Sequence, residues 1–163
     1  MTHKRSIGDL MYNLMKIKDY YNSDFKKVDK KLSDFIKNLE TKKSKKIKIN
    51  LDEVEKQVKN YWKNIILEFV DELLNKINER KTRGSEFSQI KKDLEKTKND
   101  LPHDDLDVET LRSYYEEDLN NYRDEIKEKL EIEKFNNKRF WQGIAIGFIL
   151  GIIASFVVAK YMV

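Results

Sequence analysis

The chain has 163 residues, of which 38% are charged and none is cysteine, with five glycines and one proline. That composition excludes a disulfide framework and a thiolate metal site, and it favours solvent-washed helices over a compact enzyme core. The net charge of +4 hides a gradient, with fourteen Lys/Arg against six Asp/Glu in residues 1–50 and seven against twelve in residues 101–139. Such a basic front and acidic back read either as complementary helix faces or as a basic end that meets acidic lipid, nucleic acid or a ribosome. After Met1, His3-Lys4-Arg5 is followed by a mixed pattern without an apolar run, so no amino-terminal signal peptide is expected.

Apolar residues at 7, 10, 14, 17, 21, 25, 28, 32, 35 and 39 advance by three and four, with one additional step of four from Tyr21 to Phe25. This heptad seam with a single stutter predicts one helix over about 6–40. Lys42, Lys43, Lys45, Lys46 and Lys48 follow without a helical period and read as a basic loop. Asn50 with Glu53 has the capping-box pattern. It opens a helix over about 51–81, striped by Val54, Val58, Tyr61, Trp62, Ile65, Phe69, Leu73 and Ile77, with Gly84 as the stop signal. Ser85 is expected to cap a helix over about 85–99, carrying Phe87, Ile90 and Leu94, and Pro102 marks the next turn. Asp107 is the N-cap of a helix over about 108–139, with Val108, Leu111, Tyr115, Leu119, Tyr122, Ile126 and Leu130 along its stripe. The four-four-three spacing there lies closer to an eleven-residue repeat than to a heptad. No breaker follows it, so this helix is expected to continue through Asn136 and Asn137.

Trp141 to Ala159 is nineteen residues without a formal charge. At about 1.5 Å per residue it matches the hydrocarbon thickness of a bilayer. Gly143, Gly147, Gly151, Ser155 and Ala159 recur every fourth residue, which would let two such helices approach closely. That face is expected to centre on Gly147 and Gly151. Lys134, Lys138 and Arg139 precede the run and Lys160 alone follows it, which places the large amino-terminal part in the cytosol. Arg139, Trp141, Lys160 and Tyr161 suit the two membrane interfaces.

The expected fold is therefore all-α, an elongated antiparallel helical bundle or coiled coil with one C-terminal transmembrane helix. Residues 1–139 would form the cytosolic bundle and residues 140–163 the tail anchor. Helices 6–40 and 51–81 are expected to pair as a hairpin through the basic loop, closed by the two later helices. Whether the bundle forms within one chain or between chains stays open.

The residues argue against enzymology. Only Gly8 and Gly84 lie outside the terminal run, so a Gly-rich phosphate cradle is excluded. His3 and His103 each stand outside the Glu-x-x-His ligand pattern. Asp104, Asp105 and Asp107 beside His103 lack the spacing of a calcium loop and read as helix-capping residues. No catalytic residue, metal or cofactor is expected. Aromatic residues interleaved with lysines, such as Tyr20, Tyr61 and Tyr122, could stack bases, but most fall on the core stripe. The lysine loop could hold anionic headgroups or RNA phosphates, or be a solvated connector.

Trp141-Gln-Gly143-Ile-Ala-Ile-Gly147-Phe-Ile-Leu-Gly151-Ile-Ile-Ala-Ser155, with Lys160 beyond, resembles the glycine-zipper tail of the ElaB/YqjD-like bacterial proteins. The likeness covers about twenty residues, and the longer soluble part shares no motif with that family. It implies a tail-anchored inner-membrane protein, with ribosome tethering as one role.

The expected function is a non-enzymatic, membrane-tethered helical adaptor that forms homo-oligomers through its anchor and presents the bundle to a protein partner. The alternatives are a ribosome or nucleic-acid tether acting through Lys42–Lys48, and an oligomeric pore-former or holin-like membrane disruptor. A tail-anchored regulator of the Bcl-2 type has similar length and topology. It fits less well, because no soluble segment is apolar all round.

Overall fold

The computed structural model describes residues 6–27, 29–79 and 87–161; along the last helix, side chains are described as far as Ile146, apart from Glu133 and Ala145. All regular structure among the described residues is helical. Helix α1 (Ile7–Ser23) opens on a reciprocal capping box. The Ser6 hydroxyl accepts from the Asp9 N–H at 3.2 Å, and the Asp9 carboxylate accepts from the Ser6 N–H at 3.0 Å.

The single helix expected over 6–40 is two helices. Chain direction changes just after the seam stutter, where Lys26 takes a left-handed φ of 48°. Asp29 then caps α2 (Lys30–Ser44) by accepting from the Leu32 N–H at 3.1 Å. A stutter in a long coiled coil only loosens the supercoil. Here the left-handed Lys26 supplies a stop and the Asp29 cap a new start, and the backbone uses both. The basic segment is also corrected, because Lys42 and Lys43 belong to the last turn of α2 rather than to a loop.

Helix α3 (Leu51–Asn78) starts where Asn50 predicts, its side chain accepting from the N–H groups of Asp52 and Glu53. The reciprocal half of the expected capping box does not form. Glu53 instead accepts from the Gln57 amide at 3.4 Å. Helix α4 (Ser88–Asp100) follows Phe87; the expected cap Ser85 and stop Gly84 lie outside the described residues. Asp107 caps α5 (Val108–Ser113) through the N–H groups of Glu109 and Thr110, at 2.8 and 3.0 Å. A π-helical turn (Tyr114–Leu119) comes next, and then α6 (Asn120–Tyr161).

That π-turn has a visible cause. Two consecutive four-residue steps, Leu111 to Tyr115 to Leu119, would carry an α-helical stripe round by about 40° each. Under-winding the backbone keeps all three on one face, and all three are buried. The carbonyls that lose their usual donors are covered by Asn120, whose side-chain amide donates to Tyr115 O at 3.1 Å and Glu116 O at 2.9 Å.

Neighbouring side chains fix the helix directions. Phe35 of α2 meets Tyr61 of α3, while Lys98 and Lys91 of α4 reach Asp71 and Asn78 of α3. Helices α2 and α4 thus each run antiparallel to α3. Because α1 and α2 are separate, α1 runs parallel to α3: Asn13 bonds Trp62, and Phe25 stacks edge-on to Phe69. Helix α3 is the centre of this unit, touching α1, α4, α5 and the π-turn. It buries Val54, Val58, Trp62, Ile65, Phe69 and Leu73 with four further residues, yet keeps an exposed face at Asp52 and Glu53.

The chain divides into two compact units between Tyr122 and Arg123. The boundary expected near 139 is one of chemistry, marking where charge ceases, and does not coincide with that division. Among the described residues, no helix is long and apolar enough to cross a membrane. Most of the run on which the transmembrane expectation rests, Gly147 to Ala159, lies beyond the described side chains, although its backbone is helical.

Candidate functional site

Two surfaces and one interior cluster concentrate the chemistry. The first surface is the end of α2. Ile47 N–H donates to Lys42 O at 2.9 Å and Lys46 N–H to Lys43 O at 3.1 Å, with Lys46 left-handed at φ 54°. These are the paired bonds of a Schellman cap, with lysine at the residue that usually is glycine. The hydrophobic contact that normally accompanies this cap is missing, because its partner position is Lys42. Ile47 is left 50% exposed. Lys42, Lys43, Lys45, Lys46 and Lys48 are all exposed.

The interior cluster lies where α1, α3 and the π-turn meet. Tyr115 is fully buried, with its ring centroid 4.9 Å from that of Tyr20, 5.8 Å from that of Trp62 and 5.3 Å from that of Phe69. Its hydroxyl donates to Asp24 Oδ2 at 2.8 Å. Tyr20 donates to Glu116 Oε1 at 2.5 Å, and the Arg112 guanidinium lies 3.7 Å from the other Glu116 oxygen and over the Tyr12 ring. Burial first, and then the Glu116 carboxylate, push the Tyr20 phenol well above its ordinary value. Burial does the same to Tyr21. Held protonated in this way, Tyr20 is a donor that orients the Glu116 carboxylate, not an acid–base group for neutral pH. The aromatic residues that sequence alone allowed as base-stacking groups are thus largely core and network residues.

A cleft of about 330 Å³ runs between α4 and the π-turn, lined by Asp93, Lys96, Thr97, Asp100, Tyr114 and Tyr122 among others. Tyr114 and Thr97 share a hydrogen bond of 2.6 Å, and Tyr122 donates to Asp93 at 3.5 Å. Burial raises both phenols. No group of His, Asp and Glu able to hold a metal occurs among the described residues. Of the acidic residues beside His103 expected to cap a helix, Asp107 does so at α5, whereas Asp105 pairs with Lys59 at 3.0 Å and Asp104 contributes its backbone carbonyl to Lys63.

The second surface is the first half of α6. From Lys127 to Ile146 no described residue is buried, although Ile132, Phe135, Phe140, Trp141, Ile144 and Ile146 are apolar and exposed. Arg139 lies over the Phe135 ring at 4.6 Å, and Phe140 and Trp141 meet edge to face at 6.1 Å. A Cβ built on Gly143 would meet nothing within 4 Å. Gly147, Gly151, Ser155, Ala159, Lys160 and Tyr161 lie on the helical backbone of α6, and their side chains fall outside the described set.

No family model matches the sequence, and no curated protein or solved structure matches it either. Among the described residues, what the chain defines by itself is an all-helical bundle, followed by a helix on which the apolar residues Ile132, Phe135, Phe140, Trp141, Ile144 and Ile146 are exposed. Sequence reasoning missed Ile47 as a surface residue. The signal was present in Lys-Lys-Ile-Lys, an apolar residue amid lysines and off any helical stripe. It also missed the Tyr20–Glu116 and Tyr115–Asp24 bonds, which join residues 96 and 91 positions apart.

Proposed function

We propose that the protein is a non-enzymatic, membrane-tethered helical adaptor. Its terminal apolar run enters the bilayer, the small-residue face from Gly143 to Ala159 associates with a second copy, and the helical bundle is presented to a protein partner in the cytosol. The observation that carries this reading is the exposed Phe140-Trp141 pair with Ile144 and Ile146, placed just after Lys134, Lys138 and Arg139. An aromatic and basic collar of this kind suits a membrane–water interface. The sequence beyond it stays free of charge to Ala159. The open space around Gly143 agrees with a face available to another helix. In a membrane two-hybrid assay, Gly147→Ile and Gly151→Ile are expected to reduce association several-fold. Unchanged association in both variants would remove the small-residue face from this account.

A further inference from the structure

We propose that the Lys42–Lys48 turn is a docking surface for an anionic bilayer, with Ile47 entering the headgroup layer among the lysines. This goes beyond the anchor of the previous reading, because the turn belongs to the unit that ends at Tyr122. Three observations carry it. The two Schellman bonds tie the backbone from Lys42 to Ile47, and in that geometry Ile47 is half exposed among the lysines. Among the described residues none of the five lysines is paired with a carboxylate, and six lysines face one glutamate between Ile36 and Asn50. Finally, an apolar side chain ringed by cations complements a surface that is anionic outside and apolar beneath.

Single-stranded nucleic acid is the weaker fit. Its recognition combines phosphate contacts with aromatic stacking, and no aromatic residue lies between Phe35 and Tyr61. Phosphate contacts alone would also leave Ile47 without a role.

The chain has no cysteine, so Ser44→Cys provides a single site for an environment-sensitive fluorophore beside the turn. The labelled full chain is reconstituted in vesicles of phosphatidylcholine alone, and of phosphatidylcholine with phosphatidylserine. Emission should shift to the blue and strengthen only with the anionic lipid, and added salt should reverse the change. Replacing Lys42 and Lys45 by Gln should weaken the response about fivefold per lysine. Ile47→Ser should leave the salt-sensitive response but diminish the blue shift. A label at Ser113, on α5, should not respond. Identical emission in the two lipids would overturn the proposal. So would a response to single-stranded RNA with none to anionic vesicles. Flotation with neutral vesicles reports the anchor separately, so failure of one reading leaves the other decidable.

Discussion

The Trp62 indole N–H donates to Asn13 Oδ1 at 3.1 Å in a site where both residues are buried, and the Asn13 amide donates to the Asp9 carbonyl at 2.9 Å. A buried donor deprived of its acceptor incurs its full desolvation penalty. Asn13→Ala is therefore expected to cost about 1–3 kcal/mol, measured by urea unfolding of the full chain. At the other end of the exposure scale stands Lys46, an L-residue in left-handed conformation at the end of α2. Lys46→Gly removes that strain but enlarges the freedom of the unfolded chain. The net expected gain is about 0.5–1 kcal/mol in the same measurement. A loss of stability would show that the Schellman geometry is not what ends α2.

Among the elements, the π-turn sets Tyr115 into the aromatic cluster between α1 and α3. Asn120 occupies the bonding sites that under-winding exposes, and Asn120→Ala is expected to cost about 1 kcal/mol through those two hydrogen bonds. The same turn places Glu116 against Tyr20, and the burial of this phenol, reinforced by the Glu116 carboxylate, is expected to make stability depend on alkaline pH. The folded state holds the Tyr20 proton more tightly than the unfolded state, whose phenol titrates near 10.0. Its contribution is thus complete below about pH 10 and declines as pH rises beyond that value. Chemical denaturation from pH 8 to 11 should show a steeper alkaline decline for the native chain than for Tyr20→Phe, since the lysines are common to both. Helix α2 shows how much of this was legible from sequence. The seam residues Leu32 and Leu39 are buried, but Ile36 is buried where Phe35 was expected to be. A stutter shows where the seam slips without showing whether the chain bends there. Asp29, which caps α2, is the residue that marks the new start.

At the scale of the molecule, the sequence specifies the helical class and most of the stripe residues, because those depend on local period. The parallel pairing of α1 with α3 was not legible, since it follows from a break whose outcome is tertiary. Nor were Tyr20–Glu116 and Tyr115–Asp24, which form only after distant segments meet. The lysine cluster was readable as charge; its fixed geometry and its exposed isoleucine were not. The proposed anchor rests on the opposite kind of information, a long uncharged run that would take its meaning from solvent rather than from internal contacts. Extraction of membranes bearing the full chain with alkaline carbonate tests this central claim most directly. Retention in the membrane pellet is predicted, with retention reduced when both Ile149 and Ile153 are replaced by Arg, at about 2.5–3.5 kcal/mol for each central charge. Complete release of the unaltered chain would contradict the account.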